Sequence, residues 1–163
     1  MYKAIVITVS DSLYFGKIAD ESGKRIIGIL KEHGYETGEM LTSPKEAALI
    51  RAALTEAVDK MGAALVVTTG GTNCSPRDIT PEATRAVCEK LTPGIPEAMR
   101  AAIAKTNPAG MLSRAEAGIR GRALILNVPG NPDAAADHLN AVVDILSPAL
   151  HALRESASEY DRK

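Results

Sequence analysis

Three short runs of apolar, largely β-branched residues constrain the fold of this chain more than anything else in it. They are Ala4-Ile5-Val6-Ile7-Thr8-Val9, Ala63-Ala64-Leu65-Val66-Val67 and Ala123-Leu124-Ile125-Leu126-Asn127-Val128. None of them alternates apolar with polar residues, so each reads as a strand covered on both faces, as in a largely parallel sheet between helices. The segments between them carry helical spacing. Asp20-Glu21-Ser22-Gly23 opens a helix with Ile26, Ile27 and Leu30 on one face, closed by His33-Gly34. Ser43-Pro44-Lys45-Glu46 has the form of a capping box, with Leu49, Ile50, Ala53, Leu54 and Val58 following until Met61-Gly62. Strands alternating with helices predict an α/β fold, a mostly parallel (mixed) sheet with helices on both faces.

The remaining elements are weaker signals. Tyr35 to Leu41 reads as a half-polar strand near a sheet edge, and Pro81 to about Lys90 as a helix with Thr80 as its N-cap hydroxyl. A short Ala-rich helix is expected from Glu97 to Lys105 after Pro93-Gly94-Ile95-Pro96, and a last helix from about Asp133, with Leu139, Val142, Leu146 and Leu150 on its apolar side. Residues Thr106 to Gly121 read as a long loop or a loop containing a short strand. One domain is expected over residues 1–155, with a polar tail over 156–163.

In sheets of this kind ligands sit beyond the carboxyl ends of the strands. Three loops here leave such ends: Ser10-Asp11-Ser12, Gly70 to Ile79, and Pro129-Gly130-Asn131-Pro132. The second holds two glycines, two hydroxyls, Arg77 and Asp78, followed by a helix start. Backbone N–H groups in glycine turns, and helix N-termini, attract phosphate oxygens. Gly70-Gly71-Thr72 taken alone is equally a tight turn, Asp78 a helix cap, and Asp11 a turn residue. His33, His138 and His151 form no ligand set and read as structural or surface residues.

The net charge of −1 and the scarcity of aromatics (one Phe, four Tyr, no Trp) argue against a nucleic-acid or membrane footprint. Cys74 and Cys88 have no metal-ligand spacing. The N-terminus runs directly into strand-like sequence, and a cytoplasmic location is expected.

The order of motifs then resembles one known family. Thr69-Gly70-Gly71-Thr72, followed by Arg77-Asp78-Ile79-Thr80-Pro81-Glu82-Ala83-Thr84, is similar to the signature T-G-G-T-G…R-D-x-T-P-E-A-T of the molybdopterin-binding domain family. Val9-Ser10-Asp11-Ser12, Asp20-Glu21-Ser22-Gly23, Pro93-Gly94-Ile95-Pro96, Met111-Leu112-Ser113-Arg114, Ala117-Gly118-Ile119-Arg120-Gly121 and Leu126-Asn127-Val128-Pro129-Gly130-Asn131-Pro132 match in the same order, so that the likeness extends to about Leu153. The resemblance implies a three-layer α/β/α sandwich, a homotrimer or hexamer, and adenylyl transfer from Mg-ATP to the terminal phosphate of molybdopterin, releasing pyrophosphate. By that resemblance Gly70, Gly71 and Thr72 cradle a phosphate, and Asp78 is the catalytic residue, holding Mg²⁺ or orienting the attacking phosphate. Ser113, Arg114, Pro129 and Gly130 line the pterin and its phosphate, and Ser10 and Asp11 close the site. Two positions depart from the family pattern: Asn73 stands where glycine is usual, and Lys45 where active members often carry an acid. A homologue that binds molybdopterin without turnover is the alternative.

Overall fold

The computed structural model describes residues 1–160. Six strands form one sheet in the order β2-β1-β3-β6-β5-β4. The three apolar runs become β1 (Ala4–Val9), β3 (Leu65–Thr69) and β6 (Ala123–Val128). With β2 (Met40–Ser43) they pair in parallel, while β5 (Ala117–Arg120) and β4 (Lys90–Leu91) complete the sheet through antiparallel ladders.

Side chains alternate between the two faces of the central strands, as a period of two requires. Ala4 and Val6, Leu65 and Val67, and Leu124, Leu126 and Val128 pack into one apolar cluster with Ile26, Leu30, Met99, Leu139, Leu146 and Leu150. These come from α2 (Glu21–Glu32), α5 (Gly94–Ala104), α6 (Pro132–Asn140) and α7 (Val143–Tyr160). Ile5, Ile7, Val9, Val66 and Ile125 face the other way, onto Ile50 and Leu54 of α3 (Ala47–Thr55) and Ala83 and Val87 of α4 (Thr80–Val87). Two cores on either side of one sheet make the expected three-layer α/β/α sandwich. A short helix, α1 (Asp11–Tyr14), follows β1 directly.

Several elements differ from expectation. The edge strand lies at Met40–Ser43 rather than over residues 35–41; Tyr35 is instead buried in the larger core, and only Glu36 bridges to Lys3. Ser43 ends β2 and donates to the Pro44 carbonyl, so α3 opens at Glu46 without a side-chain cap. Thr80 is already helical, and α4 stops at Val87, leaving Lys90-Leu91 to form β4. The 106–121 segment contains a 3₁₀ turn at Pro108–Leu112 and then β5. The last helix is two, α6 and α7, the second running to Tyr160 into the segment expected as a polar tail; residues 161–163 lie outside the described residues. Among the described residues no helix is long and apolar enough to cross a membrane.

Candidate functional site

The strand order makes β1 the switch point: the chain leaves it toward β2 on one side, and β3 lies on the other. The loops after β1, β3 and β6 meet at the carboxyl ends of those strands around a cavity of about 500 Å³. Ser10, Gly70, Gly71, Asp78 and Gly130 line it together with Lys45, Asn73, Asp20 and Ser22.

Backbone contact brings the loops this close. Gly70 and Gly71 adopt φ of 99° and 69°, a left-handed region that costs side-chain-bearing residues energy. A Cβ on Gly70 would lie 2.3 Å from the Val9 carbonyl oxygen, and one on Gly71 2.3 Å from Thr80 Oγ1. A Cβ on Gly130 would lie 3.2 Å from the Gly70 Cα, so the β3 and β6 loops touch through two glycines. Thr80 clamps the turn to α4: its N–H donates to Gly71 O (3.1 Å) and its hydroxyl to Gly70 O (2.8 Å). The Thr69 hydroxyl donates to Pro129 O (2.7 Å), which leaves it to accept from the Ser22 hydroxyl (2.7 Å) and ties α2, β3 and the β6 loop into one buried chain.

The charged groups stitch the same loops across the end of β1. Lys45, after β2, places its Nζ 2.7 Å from Oδ1 of Asp78, after β3; the Asp78 side chain is 5% exposed and that of Lys45 28%. Asp11, after β1, accepts the Lys45 backbone N–H through Oδ1 and the Arg77 guanidinium through Oδ2, each at 2.8 Å. The Lys45 amide foremost, helped by Arg77, holds the Asp11 carboxyl below its ordinary range. Asp20, the N-cap of α2, accepts from Gly23 N–H (2.7 Å) and from the Thr8 hydroxyl (2.6 Å).

The structure divides the sequence-predicted site residues into three groups, with Gly130 shared by the first two. Ser10, Gly70, Gly71, Asp78 and Gly130 face the large cavity. Ser113, Pro129 and Gly130 line a smaller cavity of about 220 Å³ next to it, which also shares Asn73 and Asn131. Asp11, Thr72 and Arg114 line neither. Thr72 is buried, its hydroxyl without a protein partner. Arg114 braces the glycine loop from outside: its N–H donates to Thr72 O (2.9 Å), its Nε to Asn73 O (2.8 Å), and its guanidinium to Asp78 O and Glu82. The Glu82 hydrogen bond in turn pushes Arg114 above its already high ordinary value.

Three residues receive no site role from the sequence. Asp20 and Ser22 line the large cavity from the start of α2, a stretch that the sequence marks as a helix opening and a matching motif but assigns no part in the site. His138, expected as structural or surface, is 3% exposed and lines the small cavity. Its Nδ1–H donates to Ala134 O (2.7 Å), which makes Nε2 the acceptor, and burial pushes its pKa down.

A Mg²⁺ held by the protein at Asp78 does not fit this donor set. The Lys45 ammonium sits on Oδ1 of Asp78, and both oxygens of Asp20 and of Asp11 are engaged by donors. Among the described residues no three His, Cys, Asp or Glu side chains come together. What the arrangement offers instead is glycine backbone, hydroxyls and one ammonium around a polar cleft, groups that suit a phosphate-bearing ligand.

Comparison with known proteins agrees with that chemistry. A family model described as "Probable molybdopterin binding domain" matches residues 5–152. A molybdopterin adenylyltransferase of Helicobacter pylori (strain J99) is 42% identical over 139 residues, covering 84% of this chain and 79% of its own length. The molybdopterin adenylyltransferase of Escherichia coli (strain K12) is 46% identical over 101 residues, 62% of this chain and 52% of that protein. Among solved structures, the molybdopterin biosynthesis enzyme MoaB of Thermus thermophilus superposes with a TM-score of 0.89 at 38% identity, covering 94% of this chain and 96% of the other. The tungsten cofactor synthesizing protein MoaB of Pyrococcus furiosus gives 0.85 at 34% identity, over 94% and 98%. The glycine loop, the strand-end crevice and these likenesses converge on one conclusion: the chain belongs to the molybdopterin-binding domain family.

Proposed function

We propose that this chain is a molybdopterin adenylyltransferase acting in molybdenum cofactor biosynthesis. An oxygen of the molybdopterin terminal phosphate attacks the α-phosphorus of ATP; a new P–O bond forms, the α–β bond breaks, and pyrophosphate leaves. The observation that carries the reading is the convergence of three strand-end loops, with Asp78 and Lys45 between them, on one polar cleft. The names of the relatives at 42% and 46% identity support it. Two anionic reactants must be brought together, so catalysis here rests on alignment and charge compensation.

In this reading the Gly70-Gly71 backbone and Ser10 receive phosphate oxygens in the large cavity, and Ser113 with Pro129 and Gly130 forms the wall of the adjoining one. Asp78 is the acid we assign to the chemistry, through its hold on Lys45. Arg114, Asp11 and Thr72 act by fixing the loops. Magnesium belongs to the phosphates of ATP, not to a cage of side chains. A homotrimer in the cytoplasm completes the reading, and sedimentation of the purified protein tests the trimer.

The test is direct. Purified protein supplied with ATP, Mg²⁺ and molybdopterin should release pyrophosphate and form adenylylated pterin, and Asp78→Asn should lower the rate by about 100-fold, the usual scale for one electrostatic contact in such a site. Absence of adenylylated pterin from the parent protein defeats the proposal. A second reading, a homologue that binds molybdopterin without turnover, is favoured by one observation, the Lys45 ammonium sitting on Asp78. It predicts pterin binding by the parent and gain of activity in Lys45→Asp with Asn73→Gly.

A further inference from the structure

Lys45 combines features that an incidental surface lysine lacks. Its backbone N–H is fixed by Asp11 Oδ1 at 2.8 Å, its Nζ by Asp78 Oδ1 at 2.7 Å, and the residue lines the large cavity. The chain bends at Lys45, where the Glu46 N–H donates to the Pro44 carbonyl (2.8 Å), and α3 follows only after Glu46; the bend delivers the Lys45 side chain across the end of β1. An ammonium has three donors and no acceptor. Asp78 takes one of them through a carboxylate that is only 5% exposed. The carboxylate fixes the cation and cancels its own repulsion toward an incoming anion, while the cation remains at the cavity wall. A divalent ion at Asp78 would share the carboxylate with the Nζ ammonium, a like charge at 2.7 Å from Oδ1, and the neighbouring Asp11 and Asp20 oxygens already accept hydrogen bonds.

We propose that Lys45 is the phosphate-binding cation of this cleft, so that a phosphoryl ligand binds here without a divalent metal. The inference rests on reading the cleft as the adenylyl-transfer site, and it adds which group meets the phosphate and what the protein does not require. The phosphoryl group is that of ATP or that of molybdopterin. Both present terminal oxygens to the same ammonium, and separate titrations tell them apart.

The experiment measures equilibrium binding of ATP and, separately, of molybdopterin, each in Mg²⁺ and in EDTA. For at least one ligand the parent Kd should change by less than about threefold between the two conditions. In EDTA, Lys45→Met should weaken that ligand by about 10- to 100-fold, the equivalent of the ~1.5–3 kcal/mol of a hydrogen bond to a charged group. Lys45→Arg should retain most of the affinity. Because Lys45→Met leaves Asp78 buried and unpaired, the double variant Lys45→Met/Asp78→Asn is the decisive control, with its melting temperature as proof of folding. It should bind the metal-free ligand as weakly as Lys45→Met. Parent binding that needs Mg²⁺, or metal-free binding that the folded double variant keeps, overturns the role of Lys45. A parent that binds neither ligand, with or without Mg²⁺, overturns the underlying site as well.

Discussion

At the parallel end of the sheet the carboxylate of the Lys45–Asp78 pair is buried, the Asp78 side chain being 5% exposed; at the antiparallel end Arg120 reaches an Asp59 side chain that is 42% exposed, the two cations being half-buried alike. The Arg85–Glu116 pair is of the second kind, the Arg85 side chain being 55% exposed. The same contrast holds for glycine. Gly70 is required by a left-handed turn pressed against the β1 backbone, whereas Gly118 in β5 makes room for Cys88 and the Lys90 carbonyl of β4. Parallel strands all end their runs on one side, so three loops compete for the same space; their backbones are pressed together and the Asp78 carboxylate is forced inward. The antiparallel strands turn back at the edge, where Asp59 and Arg85 keep one member of each pair open to water and screening leaves the pairs a small contribution. The functional half is therefore the half whose geometry has least slack.

The largest test of this contrast is a pair of alanine substitutions. Gly70→Ala puts a Cβ 2.3 Å from a backbone oxygen at φ 99°, and neither can be relieved by a rotamer change. It should cost on the order of 3 kcal/mol or more and abolish ligand binding. Gly118→Ala meets its nearest atoms, Cys88 Sγ and Lys90 O, at 2.8 Å, but at a two-residue edge strand free to move outward. It should cost only about 1 kcal/mol. Urea unfolding of both variants compares them; equal losses break the argument.

Much of this organisation is legible in the sequence, and the failures have physical causes. β1, β3 and β6 are readable because burial on both faces removes nearly every polar residue that could mislead, and their loops are then placed by topology alone. The edge strand is misplaced because β2 has a single partner and half-polar composition, and because Tyr35 is buried as a core residue while outside the strand. The capping pattern at Ser43 fails because its hydroxyl and the Glu46 N–H both donate to the Pro44 carbonyl, and a tertiary bond from Lys45 N–H to Asp11 holds the bend between them. Of the site, Gly70, Gly71 and Asp78 follow from strand-end position. The positions of Asp20, His138 and the inward reach of Lys45 depend on partners 12 or more residues away or on burial within a helix, which no local pattern encodes.

Asn127 joins the two halves, and its loss should be intermediate. Fully buried in β6, it donates to the hydroxyls of Thr68 (2.8 Å) and Thr84 (2.9 Å) and accepts from Glu116 N–H (3.1 Å), just before β5. Asn127→Ala leaves three buried polar groups short of a partner and should destabilise by about 2–3 kcal/mol. Thermal unfolding measures this, and a loss below that of Gly118→Ala would show that the halves do not depend on the junction.

The smallest effect is expected from Asp59, and its pH dependence carries the sharper information. The hydrogen bond from Arg120 holds the Asp59 carboxyl below its ordinary value. A depressed carboxyl pKa in the folded state contributes stability that is present above the unfolded value and disappears as pH falls through the folded one. Asp59→Asn should therefore be slightly less stable than the parent at pH 7 and converge on it at an acid pH below the folded-state value, which itself lies below the ordinary aspartate range. Urea midpoints at the two pH values test this. The neutral-pH difference must be smaller than that of Asn127→Ala, because Asp59 is open to water and screened by it. A difference of equal size would mean that the antiparallel end is held by charge as tightly as the crevice, and the contrast between the two ends would then lie in their loops alone.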